Sequence, residues 1–261
     1  MRLLHAFYYQ NTKIPCVSVE EMKEIDRSMV QDYSIQLVQM MENAGAALSF
    51  LCARHVKRSV NKKVVILAGT GNNGGGGLVS ARRLANFGAD VTVIKPFSSL
   101  KNIPALQMES LKNLPVRILT YSDPSQKQIV VKLLQSADLI VDALIGYGLS
   151  GHPKGIIFDL IQLVSHVETD VISLDVPSGL NANNSLLAQP SIKANSTLTL
   201  GLPKKVFLSD QAALHLGNLY LADISIPHEL YKQIGLTVPY LFDGVPYIRI
   251  SREKSEDISE N

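Results

Sequence analysis

The chain has 261 residues, and 46% hydrophobic against 18% charged content places it among globular proteins, outside the disordered range. A formal net charge of +2 with 6% aromatics gives no electrostatic case for nucleic acid, and no apolar run approaches the ~18 residues that span a bilayer. Two cysteines, Cys16 and Cys52, are too few for a disulfide framework and suit a reduced intracellular protein.

Residues 1–16 read as an N-terminal extension. They carry Arg2 and Lys13 with no acid, and the apolar stretch over residues 3–9 is short and lacks a clear cleavage site, against a secretory signal. A mitochondrial presequence would be richer in Arg and Ser, so the expected compartment is the cytoplasm, with the mitochondrion as the alternative. Ser18 can cap a first helix with Glu21 completing a capping box, and Met22, Ile25 and Met29 follow at helical spacing. A second helix over residues 37–56 puts Leu37, Met40, Met41, Ala44, Leu48 and Leu51 on one face.

Strands are predicted at residues 64–68, 91–94, 116–119, 139–142, 171–175, 197–200 and 219–222. Helices at 78–87, 105–113, 126–136 and 155–165 separate the first five. This alternation implies a Rossmann-like, doubly wound α/β fold, a mostly parallel sheet with helices on both faces. One domain over residues 17–250 accounts for it, and residues 251–261 read as a flexible tail.

The run Gly69-Thr70-Gly71-Asn72-Asn73-Gly74-Gly75-Gly76-Gly77 reads as a glycine-rich turn between the first of these strands and the helix at 78–87. Glycines there would allow positive φ and close approach of a ligand, and the helix N-terminus behind them favours a phosphate. A Walker-type loop is excluded, since no Gly-Lys-Ser/Thr ends the run. Gly69, Gly71 and Gly74 match the dinucleotide fingerprint, but the next strand ends in Lys95-Pro96 rather than the acid that holds a ribose, and Asp90 precedes it. An ordinary NAD dehydrogenase is therefore disfavoured. In a doubly wound sheet, ligands bind beyond the carboxyl ends of the strands. Asp142 and Asp175 stand at two such ends, followed by Gly146, Gly148 and Gly179, and should converge with Asn72 and Asn73 at one edge.

Five ordered segments carry a more specific signal: Met40-Met41-Glu42-Asn43-Ala44-Gly45, the glycine run, Asp142-Ala143-Leu144-Ile145-Gly146-Tyr147-Gly148, Asp175-Val176-Pro177-Ser178-Gly179, and Ala222-Asp223-Ile224-Ser225-Ile226-Pro227. Together they resemble the YjeF N-terminal domain family, the epimerases of hydrated NAD(P)H, across about residues 17–247. The resemblance implies an isomerase that interconverts the R and S forms of NADHX and NADPHX, so that a separate dehydratase specific for S can restore the dinucleotide. It implies one potassium ion per subunit on Asn73, Asp142 and Ser178. Substrate contacts fall on Asn72, Asn73, Gly74, Gly75 and Gly76, on Gly146, Tyr147, Gly148, Leu149, Ser150, Gly151 and His152, and on Asp175. Asp175 is the candidate acid-base group. The family also implies a homodimer through the N-terminal helices, and the absence of a ribokinase-like domain after residue 250 implies a standalone epimerase. One position departs: the family pattern is Asn-Asn-Gly-Gly-Asp-Gly, and Gly76 stands where the aspartate belongs. That keeps open a non-catalytic nucleotide-binding or scaffold protein on the same fold.

Other residues have plainer readings. The six histidines lack metal spacing, and His152 reads as a solvated loop residue. Lys204-Lys205 reads as a solvated turn rather than a phosphate contact. Met22, Met29, Met40 and Met41 read as core or dimer packing.

Overall fold

A computed structural model describes residues 6–96, 100, 102–182 and 190–252. In chain order the elements are β1 (Phe7–Tyr9), β2 (Thr12–Ile14), α1 (Val19–Gln31), α2 (Leu37–His55), β3 (Lys63–Ala68), α3 (Asn72–Asn86), β4 (Asp90–Lys95), α4 (Asn102–Glu109), β5 (Val116–Thr120), α5 (Lys127–Ser136), β6 (Leu139–Ala143), α6 (Gly155–Val164), β7 (Val171–Leu174), β8 (Ser196–Leu200), α7 (Asp210–Leu216), β9 (Asn218–Ala222), α8 (His228–Gln233) and β10 (Tyr247–Arg249). Eight strands form one sheet in the order β10-β9-β8-β7-β6-β3-β4-β5, parallel throughout except for β10 against β9. All seven predicted strands are present, and the sheet is doubly wound.

Period-two alternation explains how the sheet is covered. Val64, Ile66 and Ala68 of β3 pack with Leu48 of α2 and Leu78 of α3, while Val65 and Leu67 pack with Val130 and Leu134 of α5 and Leu160 of α6. The chain runs outward from β3 through β4 to β5, then returns and runs the other way from β6 to β9. Beyond the carboxyl ends of β3 and β6, where the order reverses, a crevice opens.

Four expectations need correction. The glycine run is not a loop as far as residue 77: α3 begins at Asn72 with Gly71 as its N-cap, and none of residues 69–77 has positive φ. The glycines serve close packing instead. A Cβ on Gly74 would lie 1.9 Å from the Gly69 carbonyl oxygen, and one on Gly77 would lie 2.7 Å from Ala143 Cβ. Second, β7 ends at Leu174, because Asp175 turns to a φ of 66°. Third, residues 6–16 of the expected extension are built into the fold, while residues 1–5 lie outside the described residues. Phe7 and Ile14 are buried with Met22 and Ile25 of α1, and Gln10 and Asn11 make the hairpin turn with φ of 45° and 63°. Fourth, Ser251 pairs with Tyr8, and the Arg252 guanidinium donates to the Phe207 and Ser209 carbonyls, so the expected tail cannot start at 251. Its remainder, residues 253–261, lies outside the described residues. Among the described residues no helix is long and apolar enough to cross a membrane.

Gly74→Ala is expected to destabilise the fold by about 1–3 kcal/mol, since overpacking against backbone exceeds the helix-propensity gain of ~1 kcal/mol. Urea unfolding measures it, and an unchanged or higher midpoint would refute the packing role.

Candidate functional site

Asp142 is the most deeply placed carboxylate at the crevice, with no solvent exposure. The β6–β7 register sets it opposite Ser173, whose hydroxyl donates to Oδ2 at 2.8 Å. Ser178 donates its backbone N–H to Oδ2 at 2.8 Å and its hydroxyl to Oδ1 at 2.6 Å, and Leu144 N–H reaches Oδ1 at 3.3 Å. Ser178 Oγ in turn accepts from Ile145 N–H at 2.9 Å. One side chain thus ties the loop after β6 to the loop after β7. Burial pushes the Asp142 carboxyl above the usual carboxylate range, against the opposing hydrogen bonds from Ser178, Ser173 and Leu144. Among the described residues no cationic side chain forms an ion pair with it.

Asp175 is 3% exposed. Its Oδ2 accepts from Tyr147 N–H at 2.9 Å, and Lys204 Nζ lies 2.7 Å from Oδ1 as an ion pair off the ideal hydrogen-bond direction. Lys204 is 1% exposed, and its ammonium also donates to Leu200 O at 2.8 Å, Thr199 Oγ1 at 3.1 Å and Leu202 O at 3.2 Å. The solvated-turn expectation therefore fails for Lys204 and holds for its neighbour, since Lys205 is exposed and paired with Glu21 at 2.8 Å. The core reading of the methionines holds: Met22, Met29, Met40 and Met41 are all buried.

Tyr147 extends the cluster beyond what the sequence suggested. Its phenol donates to Asp26 Oδ2, from α1. Burial raises the Asp26 carboxyl above the usual range, opposed by the Tyr147 hydrogen bond and the Lys204 charge. Burial and then the Asp26 carboxylate hold the phenol above its own usual range. A sequence signal for Asp26 existed: it stands four residues after Met22 and next to Ile25, an acid at the edge of the apolar stripe of α1.

These groups border a cleft of about 500 Å³. Of the positions the family resemblance implies, Asn72, Asn73, Gly76, Gly146, Tyr147, Gly148 and Asp175 line it, with Asp26, Lys204 and the apolar Met22, Leu37 and Met40. Gly146 stands close between two of them: a Cβ there would meet Asp175 Oδ2 at 2.8 Å and Asn73 Oδ1 at 3.3 Å. Asn73 Nδ2 donates to Leu174 O at 3.2 Å. Gly74 and Gly75 sit inside α3, the latter packed on Met41, and do not form the wall. Leu149 is buried away from the wall, and Ser150, Gly151 and His152 are exposed beyond it. Ser178 meets Asp142 behind the cleft. Among the described residues no group of three His, Cys, Asp or Glu side chains could hold a metal ion.

A doubly wound, mostly parallel sheet with a cleft at the strand reversal, walled by a helix N-terminus, defines a Rossmann-like fold. The family model for the YjeF-related protein N-terminus matches residues 37–206, and the chain belongs to that family. It is 37% identical over 222 residues to an NAD(P)H-hydrate epimerase of Dehalogenimonas lykanthroporepellens, covering 84% of this chain and 86% of the relative. An NAD(P)H-hydrate epimerase of Plasmodium vivax is 32% identical over 224 residues, 85% of this chain and 73% of the relative. A bifunctional NAD(P)H-hydrate repair enzyme Nnr of Moorella thermoacetica is 34% identical over 82% of this chain, which spans 41% of that longer protein. The crystal structure of the yeast protein ynu0 (YNL200c) superposes with a TM-score of 0.74 at 24% identity, over 90% of this chain and 100% of the other, and shows the same fold.

Proposed function

We infer that this chain is an NAD(P)H-hydrate epimerase, interconverting the R and S forms of NADHX and NADPHX. What carries the reading is that seven of the thirteen residues implied as substrate contacts line one cleft, in a chain that matches a relative of that name over 86% of the relative's length. The chemistry fits the cleft. Loss of the hydroxyl from the hydrated carbon, helped by a proton and the ring-nitrogen electron pair, leaves a planar carbon. Return of water to the other face inverts it. Asp175, held by Lys204 and by Tyr147 N–H, is the acid-base group at that carbon. The binding-only alternative is not favoured, since the length-matched relatives carry enzyme names. A Cβ on Gly76 would lie 2.8 Å from Leu174 Cδ2, so the family's aspartate fits there only if that buried side chain moves aside.

The test is equilibration of a pure R epimer of NADPHX, followed by chiral-resolving chromatography. Acceleration well above the spontaneous rate supports the reading. No acceleration with wild-type protein sinks it, and restoration by Gly76→Asp would assign the defect to that position.

One potassium ion per subunit belongs to the same proposal. Asp142 is a buried carboxylate with no ion-paired cationic side chain among the described residues, and the Ser178 hydroxyl and the Asn73 amide add hard oxygens, a donor set suited to a monovalent cation. These three residues would hold the ion, which would supply counter-charge to the Asp142 carboxylate. Potassium at about 100 times its dissociation constant is expected to stabilise the protein by ~2.7 kcal/mol. A thermal melt in potassium against tetramethylammonium reads the shift, and Asp142→Asn should abolish it. A homodimer through α1 and α2, checked by light scattering, and a separate dehydratase that consumes the S form complete the proposal. Cys16 and Cys52 are both unpaired, which suits the cytoplasm.

A further inference from the structure

Epimerisation through a planar carbon needs two proton transfers, one to the hydroxyl that leaves and one from the water that returns. Asp175 with Lys204 against it is equipped for the second. The first needs a group that arrives carrying a proton. Asp26 lines the same cleft, joined to Asp175 through one residue: Tyr147 gives its backbone N–H to Asp175 Oδ2 and its phenol to Asp26 Oδ2. Among the described residues no donor engages Asp26 Oδ1, so that oxygen is free to carry a proton.

We propose that Asp26, oriented by the Tyr147 phenol, is the proton donor to the departing hydroxyl, and that Asp26 and Asp175 form a two-sided acid-base pair. The proposal rests on the epimerase reading. In the forward step the carbon–oxygen bond breaks with its electron pair, the ring nitrogen supplies the pair that makes the carbon–nitrogen double bond, and the Asp26 proton leaves with the hydroxyl as water. In the return step a water oxygen bonds to the opposite face, the nitrogen recovers its pair, and the released proton passes to Asp175. Exchange with solvent returns that proton to Asp26, and the reverse direction exchanges the roles.

The charges around Asp26 agree with this division. Facing it are the Tyr147 phenol from the loop after β6, Asp175 from beyond β7 and Lys204 from beyond β8, while Lys23 of α1 lines the same cleft and α2 offers it only apolar side chains. Burial is the largest influence and favours the protonated carboxyl, as does the Asp175 charge, against Lys204 and the phenol. Two carboxyls in one cleft, one biased toward its proton and one paired with a lysine, is the arrangement that divides acid from base.

The experiment is the pH profile of kcat for epimerisation. If Asp26 must be protonated, the rate holds below its raised pKa and falls as pH rises through it. Asp26→Asn is expected to lower kcat by about 10²-fold with KM little changed, and to remove the alkaline limb. Tyr147→Phe keeps the backbone contact to Asp175 but deletes the hydrogen bond that favours ionised Asp26, so its alkaline limb should move to higher pH. A residue that only packs would not move that limb. Wild-type kcat and an unchanged limb in Asp26→Asn would overturn the proposal while leaving the epimerase intact, whereas an inactive wild type would remove both. Should Asp26→Asn fail to fold, an unmoved limb in Tyr147→Phe overturns the proposal.

Discussion

Replacing Lys204 with methionine is expected to lower the unfolding free energy by about 3–5 kcal/mol, the cost of removing one member of a buried ion pair. Methionine keeps the length and apolar stem of the side chain, so the loss isolates the ammonium. That ammonium is the counter-charge for Asp175 and the donor to Thr199, Leu200 and Leu202. Without it a carboxylate of 3% exposure has no cation, and two carbonyls lose a donor in a place water reaches poorly. The melting temperature should fall by roughly 6–20 °C for a chain of this size. Lys205→Met is the adjacent control: its pair with Glu21 is exposed and worth about 0–1 kcal/mol. Adding Asp175→Asn to Lys204→Met should recover part of the loss, because the double change leaves no unpaired charge. Additive losses, or a Lys204→Met variant as stable as Lys205→Met, would show that the pair does not hold the site together.

The contrast between the two lysines also marks how far the sequence could be read. The strand order and the place of its reversal were not legible, but the parallel strands were, because each is a short apolar run set off by helical spacing. That placed Asp142 and Asp175 at the right edge. Lys204 was illegible, because lysine is rarely buried without a partner, and its partner lies 29 residues upstream across β8. The start of α3 was misread for a local reason. Four glycines each disfavour helix by ~1 kcal/mol, and only the tertiary contacts with Gly69, Met41, Leu174 and Ala143 show why nothing larger stands there. The hairpin of β1 and β2 and the edge strand β10, three residues each, were too short for period-two alternation to register, and Gln10-Asn11 is not a common turn pair. Asp26 was hidden differently: as one acid on an amphipathic helix, it gains its full meaning from Tyr147, which reaches it from the loop after β6.

Asp175→Asn is expected to reduce kcat for epimerisation by about 10²- to 10⁴-fold, and to lower stability as well because it leaves the buried Lys204 ammonium without its carboxylate, so the rate is read where the variant is still folded. Asparagine is the informative choice for a conformational reason. Asp175 holds a φ of 66°, a region that Asn enters readily and that alanine would strain. The amide oxygen can still accept from Tyr147 N–H, and Lys204 retains Thr199, Leu200 and Leu202 as acceptors, so neither donor is stranded. What the variant loses is the capacity to take a proton and the negative charge facing the cation that forms as the hydroxyl leaves. Both losses fall on the transition state more than on bound substrate, so kcat should fall with KM little changed. A parallel rise in KM with kcat preserved would make Asp175 a binding group for a substrate hydroxyl. Full turnover in Asp175→Asn would exclude it from the chemistry, and the acid-base work would then have to rest on Asp26 alone, where the pH profile of the same variant would reveal it.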